Sequence, residues 1–116
     1  MSGAGVDGST TFHHAMHVAM TAMGQAMAAA PTTGDPDRDF LAMMIPHHQG
    51  AVEMSRLLLI HGRDPLVRRL AEDIIAGQQT EILSMQGRLA RLGQGRATES
   101  AEYPALGGTW GAAPVR

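Results

Sequence analysis

Two Asp-Pro pairs, Asp35-Pro36 and Asp64-Pro65, divide this chain into three long segments, and each pair has the chemistry of a helix start. The aspartate accepts hydrogen bonds from the orphan N–H groups of a first turn, and proline suits the first helical position, where its missing donor costs nothing. The stretch from Asp37 to about His61 therefore predicts one helix, stopped by Gly62. After Asp64-Pro65, Leu66, Leu70, Ile74, Ile82, Met85, Leu89 and Leu92 recur at helical spacing and predict a second, longer one that ends near Gly93. Upstream, Thr11 to about Ala29 is dense in Ala and Met, with Thr10 or Thr11 as a cap and Pro31 closing the far end. Residues 31–36 (PTTGDP) read as a turn.

Composition agrees with an all-α fold. Hydrophobic residues make up 44% of the 116 residues but aromatics only 3%, so the core must come from Leu, Ile, Val, Ala and Met, which favours helices over strands. That length supports one domain. The expected organisation is a flexible segment over 1–10, an antiparallel helical bundle over 11–92 and a Gly/Ala/Pro-rich tail over 93–116, with Tyr103 and Trp110 available to dock back. Pro46 falls inside the second helix and predicts a kink near Met43 or a restart at Ile45-Pro46.

Charge narrows the partners. Nine basic residues against eleven acidic ones, a net charge of -2, leave no basic stripe to neutralise phosphates, so nucleic acid is not an expected partner. No apolar run reaches the roughly 18 to 20 residues that cross a bilayer, and the first five residues lack the charged start and apolar stretch of a signal peptide.

The chemistry lies in nine Met and six His with no Cys. Without Cys there are neither disulfides nor thiolate sites, which is compatible with an oxidising compartment where a thioether outlasts a thiol. On an ideal helix His13, Met16, His17, Met20, Met23 and Met27 fall within about one third of the circumference. Neighbours at spacings of three and four lie ~5 to 6 Å apart at Cβ, close enough to share an ion. The competing reading is a core-facing stripe in which Met fills gaps, although two imidazoles in such a stripe need polar partners. A second cluster, FLAMMIPHHQGAVEM, places Asp39, Met43, His47, Gly50 and Met54 on one side, with Met44 four residues before His48. His47 and His48 diverge by ~100°, so a facing helix must supply further ligands if both are to serve one site. Gly50 suggests close approach of another backbone, and His61 suits the helix C-terminus. In the third helix Met85 is a candidate thioether ligand, and Gln78 or Glu81 a candidate to orient a histidine.

Ligand type selects the metal. Thioethers bind Zn, Mg or Ca poorly and suit copper(I) and silver(I), and imidazole accepts copper in either oxidation state. No Glu is followed three residues later by His, as di-iron bundles require, and HExxH, CxxC and GxxxxGK are absent, so no enzymatic activity is expected. The expected function is soft-metal binding, copper(I) first. A helical interaction module with a Met-rich docking face is the alternative; such a groove has no use for the histidines.

The Met44-Ile45-Pro46-His47-His48 box, Ala51, Met54, Gln79 to Ile82 and Met85 resemble the domain of unknown function 305 family over roughly Asp37 to Leu92. The resemblance implies a ferritin-like antiparallel bundle, export to the periplasm or beyond, and in some members copper binding and copper resistance. It marks Met44, His47, His48, Met54 and Met85 as ligands or neighbours of a site, beside the first helix's His13, Met16, His17 and Met20 and the adjacent Met43. Three long helices leave a fourth wall to be supplied by the tail or by a second subunit, so a homodimer is an expected assembly.

Overall fold

The structure is a computed structural model that describes residues 3–95, with side-chain surroundings from Thr10 onward. It consists of three helices, α1 (Gly3–Ala28), α2 (Pro36–His61) and α3 (Pro65–Leu92), and the described residues contain no strand. The expected 93–116 tail lies outside the described residues beyond Gly95.

Both Asp-Pro pairs act as read. The Asp35 side chain accepts from Asp37 N at 3.1 Å, and the Asp64 carboxylate accepts from Val67 N at 2.9 Å. The turn before α2 is locked by Asp39, whose carboxylate accepts from Thr33 N and Thr33 Oγ1, both at 2.8 Å, and from Gly34 N at 3.0 Å. Gly34 takes φ +91°, a left-handed conformation that a side chain would strain. Arg68 closes the α2–α3 turn, donating through Nη1 to Leu59 O at 2.6 Å and Gly62 O at 3.1 Å, carbonyls that the end of α2 leaves free.

Two boundaries differ from expectation. α1 begins at Gly3, not at Thr11, because nothing between residues 3 and 10 forbids helix: the Gly, Ser and Asp there are poor formers, not breakers like proline. α2 runs through Pro46 as one helix and does not restart at Ile45, since a proline removes one donor while the turns on either side keep theirs.

The middle helix carries the packing, with α1 and α3 flanking α2. Phe12 stacks edge-on against His61 and Met23 lies over Gly50, eleven residues on in α1 and eleven back in α2, so the two run antiparallel in fixed register. On the other side His48 meets Glu81, and Arg68 meets Leu59 and Gly62, which makes α3 antiparallel to α2 as well. Small residues mark the contacts: Ala19, Gly50, Ser55 and Ala71 are buried with Val52 and Leu92. No large side chain among the described residues is wholly enclosed, and Leu66, Leu70 and Phe40 are 75%, 60% and 60% exposed. Three helices bury one seam on each side of α2 and leave an apolar face uncovered.

Candidate metal centre

The residues that carry chemistry separate into two groups. In the first, His48 is held between α2 and α3: its side chain is only 12% exposed, and its Nε2 lies 2.6 Å from Glu81 Oε1. When Nε2 donates to that carboxylate, the neutral tautomer of the ring carries its lone pair on Nδ1. That Nδ1 is buried and has no hydrogen-bond partner. A buried acceptor left unsatisfied is costly, which makes this lone pair a candidate donor to a ligand.

Phe40, Met44, His48, Glu81, Ser84 and Met85 line one open pocket of about 260 Å³. Helical spacing explains the convergence, since Phe40, Met44 and His48 stand at i, i+4 and i+8 on α2, and Glu81, Ser84 and Met85 at i, i+3 and i+4 on α3. Two thioethers and one oriented imidazole thus share an apolar pocket whose one carboxylate is already bonded to the imidazole. Among the described residues no three His, Asp or Glu side chains gather where they could hold an ion, so any donor set in this pocket would have to draw on sulfur.

The remaining sequence candidates stand apart. His47 is exposed, its ring centroid 5.8 Å from that of His48 at an interplanar angle of 57°, and the ~100° divergence of the two carries it off the pocket. Met43 is exposed, and Met54 lies six residues, ~9 Å along the axis, from His48. The antiparallel register sets Met27 level with Pro46, Met20 with Glu53, Met16 with Leu57, His17 with Arg56 and His13 with Ile60. His17 and His13 therefore stand ~12 and ~18 Å along the bundle from the level of His48, too far to share an ion with it. Met23 serves as packing against Gly50, and His61 stacks on Phe12. Asp39 is committed to the Thr33–Gly34 turn, where the Thr33 backbone N–H, then its hydroxyl, hold the carboxyl below its ordinary value.

Sequence reasoning named Glu81 as an orienting group but missed Phe40 and Ser84. Their signal was available, because Phe40 repeats the four-residue spacing of Met44 and His48, and Ser84 is one turn from Glu81.

Over 53 residues the chain is 43% identical to "Uncharacterized protein L153" of Acanthamoeba polyphaga mimivirus, a match that covers 46% of this chain and 35% of the viral protein. The chain thus spans about a third of the length of that curated relative. No helix among the described residues is long and apolar enough to cross a membrane. Residues 2–89, which contain all three helices up to the last turn of α3 and every pocket residue, match the family described as "Domain of unknown function (DUF305)", and the chain belongs to that family.

Proposed function

We propose that this protein binds a soft metal ion, copper(I) or silver(I), in the pocket between α2 and α3, with Met44, His48 and Met85 as ligands and Glu81 as the residue that orients His48. The observation that carries the reading is the buried, unpartnered His48 Nδ1 on a ring whose other nitrogen is tied to Glu81. Carboxylate, imidazole and metal in line is the arrangement that fixes tautomer and ring angle at metal sites. The thioethers decide the ion, because a site of one imidazole and two sulfurs in an apolar pocket suits a monovalent soft cation and offers a hard or borderline one too few donors. The metal would supply a link between α2 and α3; the chain would supply donors and exclude water. Binding, for storage, transfer or resistance, is the whole activity in this reading. The lack of Cys fits the oxidising periplasmic or secreted setting that the family resemblance suggested.

The test is competition of the full chain against a chromogenic copper(I) chelator under anaerobic conditions. His48→Ala and Met85→Leu should each lower copper(I) affinity while helicity stays, and zinc should not compete. Unchanged affinity in both variants, or tight zinc binding, sinks the assignment.

A second reading has its own observation. Leu66, Leu70 and Ile74, at i, i+4 and i+8 of α3, form an exposed apolar stripe of the kind that receives a partner helix. This use of α3 is compatible with the pocket, because the stripe lies N-terminal to Glu81.

A further inference from the structure

α3 packs against α2 through one side only. Ala71 is buried and Ile75 and Ile82 are half-buried on that side, whereas Leu66, Leu70 and Ile74 are exposed ~120° round the helix from it. Two opposite charges follow this apolar stripe along one flank. On a helix turning ~100° per residue, Asp73 lies ~20° beyond Leu66 and Arg69 ~60° beyond it, while Arg68 and Glu72 point ~160° away from Leu70. Within the chain Arg69 and Asp73 make only a loose pair, Arg69 Nε standing 3.9 Å from Asp73 Oδ1 with both side chains largely in solvent. Such an exposed pair is worth little, and it leaves both groups with capacity for further partners.

We propose that the helix received by this stripe is α3 of a second copy of the chain, packed antiparallel about a two-fold axis at the level of Ala71. The proposal rests on the reading of the stripe as a helix-receiving face and names its occupant. Arg69 and Asp73 stand two residues to either side of Ala71, so the axis sets Arg69 level with Asp73 of the partner subunit and Asp73 level with Arg69 of the partner subunit. Same-side flanks meet in a two-fold antiparallel pair, and the four charges then alternate in sign along one edge of the seam. The same axis places Leu66, Leu70 and Ile74 ~3 Å, two residues, out of step with their copies, so the side chains interleave instead of colliding. One register thus satisfies both the apolar seam and its charged flank. Self-complementarity of this kind is what a two-fold interface requires and what a stripe for an unrelated helix does not.

The experiment is sedimentation equilibrium of the full chain, free of metal and in low salt, over a range of concentrations. A monomer–dimer equilibrium is expected, and Leu70→Glu should abolish it. Arg69→Asp makes the flank wholly acidic and Asp73→Arg makes it wholly basic, so each variant alone should dimerise more weakly by about tenfold or more. Mixed in equal amounts, the two should recover a dimer of wild-type strength, an outcome that repair of the Arg69–Asp73 pair within one helix cannot produce. The three replaced side chains are exposed, and circular dichroism should report an intact fold in each variant. A full chain that stays monomeric overturns the proposal while leaving the stripe open to a helix of another protein. A dimer that survives Leu70→Glu overturns both the proposal and the reading of the stripe, and a mixture of the charge variants no stronger than either alone overturns the antiparallel register.

Discussion

Met23 of α1 occupies the space that a side chain at Gly50 of α2 would need: an ideal β-carbon at residue 50 would stand 2.7 Å from Met23 Cγ and 2.9 Å from Met23 Cβ. The second distance decides the consequence. A thioether end could swing aside, but the Met23 β-carbon moves only with the backbone of α1, so Gly50→Ala must push the helices apart. The expected cost is about 1 to 3 kcal/mol, as for other overpacked contacts. Gly77, in the middle of α3 with nothing within 4 Å of its would-be side chain, supplies the control. Gly77→Ala should stabilise by roughly 0.5 to 1 kcal/mol through helix propensity alone. Urea unfolding of the two variants checks both signs, and a Gly50→Ala protein as stable as wild type would show that the helices do not approach this closely.

In the proposed site Glu81 would act on the metal through His48, not by touching it. Removing the carboxylate by Glu81→Ala frees the ring to change tautomer and angle, and the expected outcome is a loss of about 10 to 100-fold in copper(I) affinity. Glu81→Gln keeps an oxygen that can accept from Nε2 and should recover part of it. Because the Glu81 side chain is 60% exposed, water can take its place beside Nε2, and both variants should stay folded, as circular dichroism would show. Chelator competition on the three proteins measures the ordering; equal affinities would reduce Glu81 to a surface partner of His48.

Much of this was legible in the sequence because the signals were local. Asp35, Asp64, Gly62 and Gly93 mark helix ends through chemistry confined to one turn, and the structure places the ends of α2 and α3 there. Gly50 was legible as a close approach for the same reason, since only a missing β-carbon admits another helix so near. What the sequence hid was register. The stripe from His13 to Met27 and the cluster from Met43 to Met54 share residue types, which invites a common site. Which residue of α1 faces which residue of α2 depends on how Phe12 and Met23 seat against His61 and Gly50, and no local pattern encodes that. The start of α1 was equally hidden, because weak helix formers next to a strong helix can be carried along without any capping signal.

Asp39 makes acid sensitivity a local property of the α1–α2 turn. Hydrogen bonds from the Thr33 backbone and then its hydroxyl lower its carboxyl value; desolvation opposes them, and the Gly34 N–H and nearby Arg38 add smaller lowering effects. A carboxyl with a depressed value in the fold stabilises fully above its unfolded value and loses that contribution as pH falls through the folded one. Wild type should therefore exceed Asp39→Asn in stability at neutral pH, with the gap closing below about pH 4. Thermal unfolding of both proteins from pH 7 down to pH 2.5 checks this, and a constant gap would mean that the carboxylate charge is irrelevant to the turn.

Copper(I) should stabilise the protein by joining α2 to α3, since Met44 and His48 come from one helix and Met85 from the other. At about 100 times its dissociation constant a ligand bound only by the folded state adds ~2.7 kcal/mol, which for a domain of this size raises the melting temperature by several degrees. Met85→Leu isolates the ligand role, because leucine keeps nearly the same apolar volume and such swaps cost less than about 1.5 kcal/mol. The expected outcome is a variant with a near-normal melting temperature that no longer rises with copper(I). Met54→Leu, a turn and a half beyond His48 and outside the pocket, should keep the full rise. A rise that persists in Met85→Leu and disappears in Met54→Leu would relocate the ion from the α2–α3 pocket to the α1–α2 seam, where the register sets Met54 level with Ala19.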